Sequence, residues 1–186
     1  MDIDFVLHGE TGPASRWAIH AAAGEPIQIV APDRQFSAQD AGGFEWRPPQ
    51  QLKHLLLVAD ATALPAALGI LDELAALAVP PITQAWLIRD RATGTGAGSL
   101  MVDAVRRAVL PSSVSKAFEA VELAEVDVDE DMLWETSESA RDGFYGWIAG
   151  ETVAVMSLRK YLIKECGIAK ESLNLMGYWR YNKAGR

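Results

Sequence analysis

The sequence predicts an α/β fold, a doubly wound parallel five-stranded sheet, and three observations support this prediction. From His54 onward, short apolar runs alternate with longer amphipathic segments. The first run, HLLLVA, is continuously apolar after its first residue, as expected for a strand that is buried on both faces. Helix signals stand between successive runs, which is the order that a parallel sheet with crossover helices requires.

Five strands are predicted from these apolar runs. In chain order they are His54–Ala59, Thr83–Arg89, Lys116–Leu123, Phe144–Gly150 and Ser172–Trp179. Three helices connect or flank them. The first covers Ala63–Val79 with Pro65 in its first turn, the second begins at about Ser99, and the third covers Glu151–Gly167. The second helix is expected to have Ser99 as its cap and an apolar stripe formed by Leu100, Val102, Val105 and Val109.

The region before this sheet has a different organisation. Phe5–Asp33 reads as strand, Gly/Pro turn, short helix, Gly turn and strand, and a loop rich in Gly, Pro and Gln follows it. This change in composition predicts two domains, 1–50 and 51–186. Strands are expected at Ile3–Leu7 and Pro26–Val30, with exposed edges that favour aggregation or a homodimer.

Composition excludes several classes of function. The net charge of −8 argues against binding to nucleic acid or to an anionic membrane surface, because either would need a basic face. The single cysteine, Cys166, allows no disulfide framework and is expected to be a structural helix residue. We see no signal peptide and no apolar run long enough to span a bilayer, so a cytoplasmic location is expected.

Two loops are expected at the carboxyl ends of the strands, where parallel sheets bind ligands. They are ADATALP, after the first strand, and AGE, after the fourth. In the first loop, Thr62 is a candidate cap, and the loop amides are expected to face a phosphate or a ribose. From its residues alone, this loop is equally a generic strand-to-helix turn, since it has neither the dinucleotide fingerprint nor the Walker lysine.

A third candidate is GETGPAS, in which a helix starting near Ala14 or Ser15 would present free N–H groups to an anion. An ordinary helix start is the alternative. TGTGAGS, Thr93–Ser99, has the wrong glycine spacing for a dinucleotide loop, and DVDEDMLWE lacks the glycine and glutamate of a calcium loop. His8, His20 and His54 are scattered, and there is no nucleophile elbow. Phosphate-type turns without acid–base machinery point to a cofactor that carries out the chemistry.

Three blocks of the sequence resemble siderophore-interacting proteins, the flavin-dependent ferric-siderophore reductases of the ferredoxin-reductase-like superfamily. DFVLHGETGPASRWAIHAAAGEPIQIVAPD is similar to their flavin-phosphate segment, and LLLVADATALPAALGILDEL to the entry of their nicotinamide domain. YGWIAGETVAVMSLRKYLIKECGIAKESLNLMGYWRYNKAG is similar to their closing segment. The blocks occur in the family's order, and the resemblance is poorest over Lys116–Asp142.

The resemblance implies that NAD(P)H reduces FAD, that FAD reduces a ferric siderophore, and that iron(II) is then released from hard oxygen ligands. It implies a flavin diphosphate site at Gly12, Pro13, Ala14 and Ser15, with Trp17 nearby. It implies a nicotinamide cofactor site at Thr62, Ala63, Leu64, Pro65, Gly150 and Glu151. Near the flavin or its adenine it places Tyr178, Trp179 and Arg180. The first two of these are as readily explained as packing anchors of the last strand.

The family places a six-stranded barrel, with an Arg-x-Tyr-(Thr/Ser) motif, before the flavin-phosphate segment. This chain begins at about the end of that barrel. It is therefore expected to be a fragment, to have a start assigned too late, or to have lost the barrel. In each case the flavin site is half built, and flavin affinity should be poor unless another chain completes it.

Two other functions stay open at this point, a nucleotide-binding module without turnover and a flavin reductase of the same superfamily. An anionic siderophore would need local cations, and the available side chains are Lys53, Arg89, Arg91, Arg180, Lys183 and Arg186. Arg89 and Arg91 follow the second strand, where basic residues would favour NADPH over NADH.

Overall fold

The computed structural model describes residues 3, 5, 7, 10, 12–29, 46–88, 96–111, 133–137 and 143–181. In the range 96–111, side chains are described from residue 100 onward. The chain forms two compact units. One contains residues 1–47 and 182–186, and the other contains residues 48–181.

The described helix of the first unit is α1, Pro13–His20. Pro13 occupies the first helical position, where the missing N–H group removes no helical hydrogen bond. The strands predicted at Ile3–Leu7 and Pro26–Val30 are absent from the described residues of those stretches. The exposed edges and the homodimer that were argued from them therefore have no support in the described part of the chain.

The second unit is a five-stranded, mostly parallel sheet with flanking helices, which confirms the predicted fold class. Its elements are β1 His54–Asp60, α2 Leu64–Ala75, β2 Ile82–Ile88, α3 Gly96–Val105, β3 Trp134–Glu135, β4 Phe144–Glu151, α4 Thr152–Lys160 and β5 Leu173–Trp179. The strand order is β2-β1-β4-β5-β3. Strands β2, β1, β4 and β5 run parallel to one another, and β3 pairs antiparallel with β5.

This strand order contains a topological switch point between β1 and β4. The chain leaves β1 toward β2 on one side and returns to β4 on the other side, so two connections diverge at the carboxyl ends of β1 and β4. Open α/β sheets bind ligands in the crevice that such divergence creates. The two loops expected at the ligand-binding edge, after β1 and after β4, therefore lie on neighbouring strands.

The core follows from the alternation of side chains along the strands. In β1, Leu56 and Val58 are less than 2% exposed and pack in one cluster with α3, α4 and the residues after α4. The alternating residues Leu55 and Leu57 face the other side of the sheet and are equally buried. There α2 packs on β1 with Ala67, Ile70 and Leu74 buried. A strand buried on both faces explains the continuous apolar run.

Several element boundaries and details differ from the predictions. Helix α3 begins at Gly96, so Ser99 lies inside it and is not its cap. Its buried side chains are Met101, Ala104 and Val105, whereas Leu100 is 46% and Val109 79% exposed. The strand that precedes β4 in the chain is β3, Trp134–Glu135, which was not predicted. The strand predicted at Lys116–Leu123 lies outside the described residues.

The predicted helix Glu151–Gly167 is α4 followed by a π-helical turn at Tyr161–Glu165. Burial raises the pKa of the Cys166 thiol. Burial also raises the pKa of Tyr161, whose hydroxyl bonds to Cys166, to about 12. Both groups are therefore neutral near pH 7, which fits a structural role for this cysteine.

In the described part of the chain, no helix combines the length and the apolarity needed to cross a membrane. The same residues hold no group of three histidine, cysteine or acidic side chains arranged to bind a metal ion.

Candidate cofactor site

The start of α1 presents backbone amides to which no side chain of the described residues is bonded. Gly12 precedes the helix in an extended conformation, with φ −132° and ψ 162°, and no side-chain cap is formed there among the described residues. The first helical hydrogen bond runs from Arg16 N to Gly12 O at 3.0 Å. The amides of Ala14 and Ser15 precede that bond, so they are the orphan donors that helix starts offer to anions.

The side chains around this helix start are compatible with an anion. The first turn contains no acidic residue. A Cβ atom added at Gly12 would meet nothing within 4 Å, so the space beside the helix start is open within the described structure. Ser15 is only 7% exposed. Trp17 packs against Phe5 with ring centroids 5.7 Å apart, which gives the indole a packing partner within its own unit.

The start of α2 is built in the opposite way, because Asp60 places a carboxylate over it. Oδ1 of Asp60 accepts hydrogen bonds from Thr62 N at 2.8 Å, from Thr62 Oγ1 at 2.6 Å and from Ala63 N at 3.3 Å. The bond to the amide two residues on is an Asx turn. The loop amides expected to face a phosphate or a ribose therefore donate to Asp60. Thr62 does not cap α2, since Ala63 is the N-cap residue and the Thr62 hydroxyl points to Asp60.

The second oxygen of Asp60 joins three parallel strands. Oδ2 accepts from Glu151 N, at the end of β4, at 2.8 Å. It also accepts from Trp179 Nε1, at the end of β5, at 2.8 Å. Because β4 lies between β1 and β5 in the sheet, the indole of Trp179 reaches across the end of β4 to make this bond. Asp60 thus ties the carboxyl ends of β1, β4 and β5 together at the switch point.

Two local features allow this reach. The register between β4 and β5 shifts by one residue, so that Gly150 pairs with Gly177 and Glu151 pairs with Trp179. Tyr178 is the extra residue, and such irregularities re-aim the side chains that follow. Gly150 has φ +156°, and a Cβ atom there would lie 2.7 Å from Asp60 Oδ2. Only glycine leaves room for the carboxylate and its two donors.

The start of α4 is closed by its own carboxylate. Glu151 is 6% exposed, and its Oε2 accepts from Ala154 N at 2.9 Å as an N-cap. Its Oε1 accepts from Tyr181 N at 3.3 Å. Thr152 Oγ1 donates to Trp179 O at 2.9 Å, so the end of β5 is bonded to α4 as well as to Asp60. The Glu151 carboxylate is therefore engaged in holding the fold.

The remaining predicted residues have the following positions. Leu64 and Pro65 form the first turn of α2, and Pro65 is exposed there. Tyr178 stacks on Trp134 of β3, with ring centroids 5.7 Å apart and planes 12° apart. Arg180 follows β5 directly and is partly buried. Arg89 lies outside the described residues.

Only some of the cationic side chains expected near a siderophore lie within the described residues. Lys53 precedes β1, so it lies at the amino-terminal end of that strand, and Asp60 lies at the opposite end. Seven residues of strand separate the two ends by about 20 Å. Lys53 therefore cannot serve a ligand bound at the switch point. Arg91, Lys183 and Arg186 lie outside the described residues.

Two residues of this edge were not among the sequence-based candidates. Asp60 is the hub of the site, and its signal was present as Asp-x-Thr directly after a buried strand, the pattern of an Asx turn. Trp134 belongs to a segment that reads as a solvated acidic face. Its neighbour Glu135 forms a bidentate ion pair with the 5% exposed Arg159, at 2.9 Å for both bonds, and so fixes β3 at the sheet edge.

The second unit belongs to the class of open α/β sheets with a topological switch point, a class that commonly binds ligands at the carboxyl ends of its strands. Comparison with known families assigns it more narrowly. A family model described as "Siderophore-interacting protein" matches residues 77–182, more than half of the chain. A second, described as "Siderophore-interacting FAD-binding domain", matches residues 1–36. The chain belongs to the siderophore-interacting protein family.

The individual relatives have low sequence identity to this chain. An uncharacterized protein of Mycobacterium tuberculosis is 28% identical over 186 residues, covering 96% of this chain and 59% of that protein. "Ferric vibriobactin reductase ViuB" of Vibrio cholerae is 23% identical, covering 98% of this chain and 60% of that protein. "Mycobactin import ATP-binding/permease protein IrtA" of Mycolicibacterium smegmatis is 26% identical, covering 98% of this chain and 18% of that protein.

A solved siderophore-interacting protein from Acinetobacter baumannii aligns with a TM-score of 0.49 and 18% identity, covering 96% of this chain and 63% of that one. The chain spans about three fifths of the length of the first two relatives above.

Proposed function

We propose that this chain takes part in the reduction of ferric siderophores, with FAD and NAD(P)H as its cofactors. The observation that carries the proposal is the open start of α1, because it lies within the segment that matches a FAD-binding family model. When bound, the nicotinamide supplies two electrons as a hydride, and the flavin passes them singly to ferric iron.

The residues of α1 fit the diphosphate of a dinucleotide. Ala14 and Ser15 would donate backbone N–H groups to phosphate oxygens, and the positive end of the helix dipole adds to this attraction. Gly12 would let a phosphate approach the backbone closely, since it has no side chain in that space. Arg16 follows in the same turn as an exposed cation, whose Nη2 donates to Glu10 O at 3.3 Å.

The edge of the second unit fits the less charged part of a cofactor. Pro65 is exposed at the start of α2, and Gly150 removes side-chain bulk from the end of β4. Trp179 is partly exposed and its indole is fixed by Asp60, so its ring is held in a defined orientation at this edge. The proposal therefore assigns the nicotinamide cofactor to Thr62–Pro65, Gly150 and Trp179. Glu151 shapes this edge by capping α4.

The stacked pair Trp134 and Tyr178 lies beside this edge. Trp134 is 43% exposed, so it could receive a planar ring such as the adenine of FAD. We keep Arg180 as a candidate phosphate partner and Arg89 as a candidate for selecting NADPH. Charge reversal at Arg89 and Arg91 that left the NADPH/NADH preference unchanged would remove the second assignment.

Reconstitution of the purified full chain tests the proposal. Titrated with FAD, the protein should bind it saturably, with the weak affinity expected of a half-built site, and the bound flavin should show its own absorbance spectrum. Anaerobic addition of NADPH or NADH should bleach that spectrum, and ferric vibriobactin should then restore it with release of iron(II). Protein that shows no saturable binding of FAD would contradict the proposal and favour a nucleotide-binding module without turnover. Rapid transfer to free flavin but none to the ferric siderophore would indicate a flavin reductase.

A further inference from the structure

The Asp60 carboxylate occupies the place where a parallel sheet of this topology would receive a phosphate. It lies at the switch point between β1 and β4, and directly before α2. Helix starts at this place donate loop amides to the anionic groups of nucleotides. In this chain those donors, Thr62 N and Ala63 N, already bond to Asp60 Oδ1.

The carboxylate has no remaining capacity for a ligand hydroxyl. Two carboxylate oxygens offer about four lone-pair sites. Asp60 accepts five described hydrogen bonds, of which four are 2.6–2.8 Å long and the fifth is 3.3 Å. It is therefore a satisfied internal anion, and a ribose could bond to it only by displacing Thr62, Glu151 or Trp179.

A ligand phosphate would also meet unfavourable charge at this place. The Glu151 carboxylate caps α4 one residue beyond Gly150, so two helix starts at this edge are each covered by a carboxylate. A phosphate brought to the same position would be repelled by a nearby negative charge and would find its backbone donors taken. The surroundings of Asp60 thus disfavour a second anion.

We propose that Asp60 is a positioning and specificity-determining residue that stands in for a cofactor phosphate at the switch point. It keeps the dinucleotide diphosphate away from the start of α2, and it fixes the indole of Trp179 across the end of β4. The nicotinamide cofactor of the proposed function then meets this edge through uncharged groups. That last consequence depends on the proposed function, whereas the exclusion of phosphate does not.

The experiment uses the full chain, inorganic phosphate and two variants. Asp60→Ala removes the carboxylate and frees its donors. Asp72→Ala removes the same charge from an exposed position of α2 and is the matched control. Binding is followed by the backbone amide resonances of Thr62 and Ala63, and by the thermal midpoint in phosphate against chloride at equal ionic strength.

In the parent chain and in the control, phosphate should leave the two amide resonances unmoved. In Asp60→Ala, phosphate should shift both amide resonances saturably. Its affinity should be at least about tenfold above the weakest binding that the titration could detect in the parent, because one charged hydrogen bond accounts for a factor of that order. Phosphate should also raise the thermal midpoint of that variant alone.

Saturable shifts at Thr62 and Ala63 in the parent chain would overturn the proposal. A folded Asp60→Ala variant with no response to phosphate would overturn it as well. Should that variant fold only in phosphate, the proposal is supported. Should it fold in neither salt, the parent titration decides, since it needs no variant. None of these readouts uses FAD or NAD(P)H, so they are independent of whether the chain reduces ferric siderophores.

Discussion

The starts of α1 and α2 have the same kind of backbone donors, but only those of α2 are bonded to a carboxylate of the chain. Both helices have proline in the first turn, and both have backbone donors and a positive dipole end. At α1 the residue before the helix is Gly12, whose missing side chain leaves the amides uncovered. At α2 the strand ends in Asp60, whose carboxylate bonds to the amides of Thr62 and Ala63.

The difference shows that a helix start after a parallel strand is not by itself a phosphate site. What decides is whether the chain supplies its own anion. Asp60 supplies one for α2 and Glu151 supplies one for α4, so at these two helix starts the backbone donors are bonded to the chain's own carboxylates. Such a start gains rigidity and loses ligand capacity. The start of α1 has no such carboxylate among the described residues, so its amides remain available to an anion.

The largest expected effect is that of removing the internal anion. Asp60→Ala should lower the free energy of unfolding by about 3–5 kcal/mol. It leaves Thr62 N, Glu151 N and Trp179 Nε1 without their acceptor, and each unsatisfied donor costs about 1–3 kcal/mol. Urea denaturation followed by circular dichroism measures it. Asp72→Ala, on the exposed face of the same helix, should stay within about 0.5 kcal/mol of the parent. Equal losses in the two variants would mean that the bonds to Asp60 contribute nothing specific.

The second effect concerns the space that this anion needs. Gly150→Ala should cost about 2–3 kcal/mol, because its Cβ would lie 2.7 Å from Asp60 Oδ2 and its φ of +156° is strained for alanine. The matched control is Gly69→Ala in α2, where a Cβ atom meets nothing within 4 Å. That variant should gain about 0.5–1 kcal/mol from helix propensity. A harmless Gly150→Ala would show that the edge is looser than described.

The third effect separates charge from hydrogen bonding at the start of α4. Glu151→Ala should cost about 1–2 kcal/mol, since it removes an N-cap and its charge. Glu151→Gln keeps an acceptor for Ala154 N and should cost about half as much. Thermal denaturation at low and high salt checks this, because only the charge contribution is screened. Identical costs for both variants would mean that the hydrogen bond plays no part.

The smallest effect on stability should accompany the largest effect on ligand binding. Gly12→Asp would give α1 its own carboxylate, as α2 has, and should change the free energy of unfolding by only a few tenths of a kcal/mol. FAD affinity should fall at least about tenfold, because the added charge competes with the diphosphate. Gly12→Asn offers a similar cap without the charge and should lose less. Fluorescence quenching of FAD measures both, and unchanged affinity in Gly12→Asp would place the diphosphate elsewhere.

The sequence predicted the parallel sheet well because its strands are buried on both faces. The runs HLLLVA, FYGWIAG and SLNLMGYW each have more apolar residues than alternation allows, and each is a strand within one or two residues of its predicted bounds. Pro65 marks the first turn of α2, and Gly167 follows the helical segment after β4. The order of the loops then predicted which strand ends meet at the switch point.

The sequence could not predict the details of the edge, since these depend on contacts between residues far apart in the chain. Asp60 and Trp179 are 119 residues apart, and their bond also requires a glycine at position 150 and a register shift at Tyr178. The two-residue strand Trp134–Glu135 carries too little pattern to be recognised. Its position depends on the ion pair between Glu135 and Arg159, which no local signal reveals.

One titration tests the contrast between the two helix starts most directly. Adenosine diphosphate carries the anionic group common to FAD and NAD(P)H, and it can be added to the isotopically labelled full chain while backbone amide resonances are followed. We predict saturable shifts at Ala14 and Ser15, with Thr62 and Ala63 unmoved. Shifts at Thr62 and Ala63 with none at Ala14 and Ser15 would contradict the account.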